Sequence, residues 1–312
     1  MKTKKAMKGL LTAAVIGLIF TGCKKNQDNG VKPVDDTPQQ TMSASDQTNV
    51  ENESNEAMDD ANSALQGISS TRSFNFCNVT IDSSQASTGL IVLTYTGNNC
   101  ANTKLRSGSI SIQLPYIGGQ VRRWRDTSAT VTLTFNTYKV TRLSDNKSIT
   151  LNGTHSITNV SGGLLATITP GNPRVHKIRA NLQLTFDDGT QRTWQAARTR
   201  TYNIANNIVT DQVTGDTTIN GYSNVAMWGV NRAGNNFYTS ITTPVISNIF
   251  GGTCLYKPIS GVRVHYGLVH TITVTYGVES NGNATPSGNC PYGYKVNWVN
   301  GQGSAVQVIK PY

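Results

Sequence analysis

The chain has 312 residues, with 27 Lys and Arg against 17 Asp and Glu, for a formal charge of +10 at neutral pH. That charge is unevenly spread: +4 over residues 1–22, −6 over 24–66, and +12 from Gly67 onward. No run after the first 22 residues reaches the ~20 apolar residues of a membrane helix, so a helical membrane domain is excluded and an acidic neck leads into a basic body.

In chain order, the first element reads as an export signal. Lys2, Lys4, Lys5 and Lys8 precede an apolar run from Gly9 to Phe20, which ends in Thr21-Gly22-Cys23. A positive n-region, a short apolar core and small residues before a cysteine are the pattern of a bacterial lipoprotein signal. Residues 1–22 are therefore expected to be removed and Cys23 to carry acyl chains such as palmitate. Each buried methylene of such a chain contributes ~0.8 kcal/mol to membrane attachment. Phe20 stands where lipoboxes usually have Leu. Lys24 follows the cysteine where inner-membrane lipoproteins often carry Asp, so by resemblance the address is the outer membrane. An exported body makes nucleic acid a poor partner. Its positive charge suits an anionic glycan or another acidic envelope component, or serves solubility alone.

Residues 23–44 read as the lipidated cysteine and a polar, disordered tether, without apolar period and with Pro33 and Pro38. Residues 45–67 read as a short acidic helix: Val50, Ala57, Met58, Ala61 and Leu65 recur at helical spacing among Glu51, Glu53, Glu56, Asp59 and Asp60. Ser45 or Asp46 is the expected cap and Gly67 the expected end. The narrow apolar stripe is expected to pack on the basic body; a freely solvated helix is the alternative.

From Thr71 to Tyr312 the apolar period becomes two. Val131, Leu133 and Phe135 alternate with Thr130, Thr132 and Thr134, and similar alternation marks 109–116, 177–186, 270–276 and 305–309. Turn signals such as Gly118-Gly119, Asp187-Asp188-Gly189 and Asn300-Gly301 separate the runs. The expected body is all-β, an extended antiparallel sheet or a sandwich. A seam is conceivable at 204–222, with one cysteine pair on each side. After Cys23 the cysteines are Cys77, Cys100, Cys254 and Cys290. In an exported protein an even number reads as disulfides, and four allow three pairings. The local pairing, Cys77–Cys100 with Cys254–Cys290, is favoured over zinc, for which no Cys-x-x-Cys spacing exists.

Several of these features come together in one resemblance. Gly22-Cys23-Lys24-Lys25, the acidic helix, Cys77-Asn78-Val79-Thr80-Ile81-Asp82, Arg106-Ser107-Gly108-Ser109-Ile110, Leu133-Thr134-Phe135 and Ser287-Gly288-Asn289-Cys290 occur in order. The arrangement resembles the uncharacterised all-β outer-membrane lipoproteins of Bacteroidota. It departs from them at Cys290-Pro291-Tyr292, where Cys-Asp-Asn is common. The resemblance implies a fold and an address, and brings no catalytic residue or cofactor.

Chemistry-bearing residues are sparse. The body has eight carboxylates, most in apparent turns, and Asp187-Asp188 reads as a turn rather than as a glycosidase pair. His265 and His270 flank a turn without a third ligand nearby, so no metal site is expected. One feature stands out. Arg192, Trp194, Arg198, Arg200 and Tyr202 share parity and hence one strand face, and Trp124 lies among Arg122, Arg123 and Arg125. The favoured reading is a ladder of Arg on aromatics that caps the sheet; the alternative is an anionic-glycan surface. Strand register decides which way this face points. A three-residue Asp187-Asp188-Gly189 loop turns Trp194 to the apolar side; a two-residue loop turns it outward. The resulting expectation is a lipid-anchored envelope protein with a non-catalytic binding or structural role. A glycan-binding accessory lipoprotein is the alternative, and a hydrolase ranks third.

Overall fold

The computed structural model describes residues 37–69, 76–267 and 270–312. The signal, Cys23 and residues 24–36 lie outside the described residues. The segment from Asp35 to Tyr312 forms one compact unit, and the sheet runs without a break through 204–222.

Helix α1 runs Thr37–Ser69, longer at both ends than the 45–67 stretch that apolar spacing marks. Pro38 sits in the first turn, where its fixed φ and missing N–H cost nothing, and Gln, Met and Ala are good helix formers. Residues 37–44 carry no apolar stripe, so periodicity alone passes over them. Val50, Ala57, Met58, Ala61 and Leu65 are at most 3% exposed. The packed-helix expectation is the one found.

The strands, in order, are β1 (Val79–Asp82), β2 (Leu90–Asn98), β3 (Lys104–Gln113), β4 (Tyr116–Ile117), β5 (Gln120–Val121) and β6 (Ala129–Arg142). Then come β7 (Ser148–Asn159), β8 (Arg174–Phe186), β9 (Gln191–Ala205), β10 (Ile208–Gly215), β11 (Thr217–Ile219) and β12 (Tyr222–Val230). Last are β13 (Asn236–Phe250), β14 (Pro258–Tyr266), β15 (Ile272–Val278), β16 (Gly293–Val299) and β17 (Ala305–Pro311). All but the β4–β5 hairpin join one 15-stranded antiparallel sheet, ordered β1-β2-β3-β6-β7-β8-β9-β10-β13-β14-β15-β16-β17. β12 lies end to end with β10 in the lane between β9 and β13 and carries β11.

This sheet curls around α1. A helix is about 10–12 Å across and strands are about 4.8 Å apart, so a flat sheet would offer it two or three strands. Side chains of α1 instead reach Tyr95 on β2, Lys104 on β3, His155 on β7, Arg198 on β9, Arg263 on β14 and Tyr294 on β16. No pairing joins β1 to β17 among the described residues, so the sheet is an open trough holding a helix.

Alternation sets which side chains enter the trough. On β8, His176, Ile178, Ala180, Leu182, Leu184 and Phe186 point in, and the residues between them are exposed or half-buried. On β6 the inward set changes parity from Val131, Leu133 and Phe135 to Tyr138 and Val140 across a bulge, where Thr137 adopts φ 48°. Gly108 on β3 faces that bulge at φ +88°; a Cβ there would sit 2.2 Å from the Thr137 carbonyl oxygen.

Two disulfides brace the trough. Cys77–Cys100 ties the entry of β1 to the β2–β3 turn, with Cα atoms 5.1 Å apart. Cys254–Cys290 ties the β13–β14 turn to the approach to β16, at 5.4 Å. Both lie in the local pairing.

Candidate functional site

The register around Asp187 decides where the Arg/Trp/Tyr face points. Phe186 N–H donates to the Thr190 carbonyl at 2.9 Å and Gly189 N–H to the Phe186 carbonyl at 3.0 Å, leaving Asp187-Asp188-Gly189 as the loop. Leu184 then pairs with Arg192 and Leu182 with Trp194, so the even-numbered face of β9 turns inward. Arg192, Trp194, Arg198, Arg200 and Tyr202 are all at most 3% exposed, and Trp124 is 4% exposed. The shared face is present, but it is not a surface strip. Arg198 sits 5.5 Å from the Trp194 ring and Arg200 5.2 Å from Tyr202, so the ladder of Arg on aromatics lies inside the trough.

Arginine is seldom buried without a partner, and here α1 supplies most of the partners. Arg198 Nη1 donates to Glu51 Oε1 at 2.6 Å, while Arg263 from β14 donates through Nη2 to Oε1 at 2.7 Å and through Nη1 to Oε2. Burial alone would raise the Glu51 pKa; the two guanidiniums outweigh it and hold the carboxyl below the usual range. Arg106 donates to Asp60 at 2.9 Å, and Lys104 reaches Glu53 and Glu56 at 3.0 and 2.6 Å. Arg232 forks onto Asp46 at 2.7 and 2.8 Å. Arg200 finds its acid within the sheet, Asp211 on β10, at 2.9 and 2.6 Å. Arg192 has no ion pair among the described residues; it lies 4.6 Å from the Phe237 ring, and burial lowers its pKa to about 10.

The histidines are part of the same interior. Burial pushes His155, His176 and His265 each down to about 3, with neighbouring Arg side chains adding to the shift. All three are therefore neutral at pH 7. His265 Nδ1 is 2.8 Å from Thr239 Oγ1, and Ser54 of α1 lies 3.4 Å from His155 Nδ1. Among the described residues no three His, Cys, Asp or Glu side chains are grouped to hold a metal. Asp188 accepts from the Thr190 N–H and hydroxyl and pairs with Arg232, which is turn chemistry. A cavity of about 140 Å³ between Leu65, Ile91, Leu114 and Trp124 is below the usual size of a small-molecule site.

The interior can therefore hold a helix in one position; apart from Arg192, the cations named above are paired with acids. No family model, no curated protein and no solved structure matches this chain.

The outer face holds what the sequence reading passed over. Tyr222, Trp228, Tyr238 and Tyr266 are half-buried there, on β12, β13 and β14. The available signal was parity: Trp228 and Tyr238 each follow a residue, Met227 and Phe237, that is fully buried. Neither segment has the clean apolar alternation that marks β6 or β8.

Proposed function

We propose that the protein is a lipid-anchored component of the bacterial outer membrane with a non-catalytic binding or structural role. The observation that carries this reading is the apolar run ending in Gly22-Cys23 with Lys24 after it. Two disulfides suit an oxidising, exported setting. The non-catalytic part is supported by the use of the ionisable groups: Glu51, Asp60, Arg198 and Arg263 act as a structural ion-pair set between α1 and the sheet. The anchor residue precedes α1, so an acyl chain on Cys23 would hold the body through its central helix.

The test is incorporation of labelled palmitate by the wild type and by Cys23→Ser, followed by membrane fractionation. Label and membrane association that both vanish in Cys23→Ser support the anchor; label that persists, or a wild type found free of membranes, overturns it. A second reading, capture of glycans at the cell surface, is favoured by the outer-face aromatic group.

A further inference from the structure

We propose that the outer face of the sheet is a binding platform for an uncharged polysaccharide chain, built on the cross-strand row Asn181–Gln195–Trp228–Tyr238–Tyr266 with Tyr222 stacked on it. This inference rests on the binding reading above and names its ligand class.

The row follows from register. Asn181 on β8 is opposite Gln195 on β9, Gln195 is opposite Trp228 on β12, Trp228 opposite Tyr238 on β13, and Tyr238 opposite Tyr266 on β14. Cross-strand partners lie side by side on one face. Leu182, Trp194, Met227, Phe237 and His265, each next in sequence to a member of the row, are at most 2% exposed, so the row itself points outward. Four interstrand steps of about 4.8 Å make it roughly 19 Å long. Each step is close to the length of one pyranose unit.

The chemistry is that of sugar recognition. A pyranose offers an apolar C–H face and a rim of hydroxyls. Trp and Tyr present apolar bodies with a polar tip, and side-chain amides both donate and accept. Tyr222 lies parallel to Tyr266, with ring centroids 4.1 Å apart, and 5.7 Å from Tyr238. The Asn220 amide donates to the Tyr238 hydroxyl. Together these contacts hold three rings as one rigid group at the solvent boundary. Rigid aromatics with few rotamers lose little entropy on binding.

The absence of charge selects the polymer. The row holds no Asp, Glu, Lys, Arg or His, and Thr154, opposite Asn181 on β7, continues it with a hydroxyl. The nearest outward cations on β8, Lys177 and Arg179, are both paired with Asp216, at 3.4 and 2.6 Å. The positive balance of the body suggests an anionic ligand, but many of its cations lie in the trough, facing α1. A neutral glycan fits the outward surface.

The experiment is affinity electrophoresis of the full-length, detergent-solubilised protein in native gels containing a neutral β-glucan, a neutral mannan or, as polyanion, alginate. The expected result is retardation by a neutral polymer, weakened at least tenfold by Trp228→Ala and by Tyr238→Ala and largely kept by Trp228→Phe. Asn181→Ala, at an exposed position that the fold does not need, is expected to weaken retardation about threefold and guards against a folding defect in the aromatic variants. Failure of both neutral polymers to retard the wild type overturns the platform. So does retardation by alginate alone, or retardation unchanged in Trp228→Ala and Asn181→Ala. None of these outcomes bears on lipid anchoring, which palmitate labelling reads separately.

Discussion

The two faces of this sheet invert the usual division of labour. On β9 the inner face carries Arg192, Trp194, Arg198, Arg200 and Tyr202, while the outer face carries Thr193, Gln195, Thr199 and Thr201. Charge is inside and neutral polar groups are outside, because the inner face covers an acidic helix rather than a second apolar layer. An apolar stripe of Ala, Val and Met on α1 could slide by a turn at little cost. Glu51 between Arg198 and Arg263, with Asp60 on Arg106, cannot, since a slip would leave desolvated charges unpaired. Ion pairs there specify position more than they add stability. The outer face has no such constraint and is free to present a ligand surface.

Acid is expected to have the largest effect. His155, His176 and His265 have folded-state pKa values near 3 against 6.5 unfolded, so between those values the unfolded chain binds protons that the folded chain does not. Their contribution to stability is therefore fully present above about pH 6.5 and lost progressively toward pH 3, offset in part by Asp59, whose carboxyl burial raises to about 6 and which adds stability as pH falls through that value. The net loss is expected to be a large fraction of the stability of an ordinary domain. Urea melts at stepped pH would show it; a flat midpoint between pH 6.5 and 4 would mean that these imidazoles are solvated.

Glu51→Ala comes next, with an expected cost of about 3–5 kcal/mol, because two guanidiniums lose their shared partner. The triple variant Glu51→Leu, Arg198→Met, Arg263→Met is expected to recover much of that cost, since it removes the orphaned charges as well. A single variant that melts within 1–2 °C of wild type would contradict the burial of the triad. Replacing Cys254 and Cys290 by Ser is expected to cost about 4 kcal/mol through the freed 36-residue separation. The mildest effect is on the outer face. Trp228→Ala is expected to change stability by only about 1 kcal/mol while weakening polysaccharide retardation at least tenfold. A loss of several kcal/mol there would make the aromatic row a packing device and sharpen the contrast in the opposite direction.

Much of the fold was legible. The alternation of Val131, Leu133 and Phe135, and of Ile178 to Phe186, marks strands because each is half-buried and period two is the geometry of a pleat. The cysteine pairing was legible because short separations and an even count leave a local solution. The candidate site was legible only in part. The parity of Arg192, Trp194, Arg198, Arg200 and Tyr202 identified a shared face, but whether that face met water depended on one residue of loop length at Asp187. The partner of Arg198, Glu51, lies 147 positions away and carries no local mark of the pairing.

By itself, then, the sequence determined an apolar run ending in Gly22-Cys23, a helical stripe from Val50 to Leu65, antiparallel strands and an acidic stretch before a basic body. These are properties of composition and period, which act within a few residues. Only the tertiary structure decided that α1 lies in the trough of the sheet and that the arginines of β9 face inward. It alone placed Trp228, Tyr238 and Tyr266 in one row. Those outcomes depend on cross-strand register and on the curl of a 15-stranded sheet, which sum small local choices over more than two hundred residues.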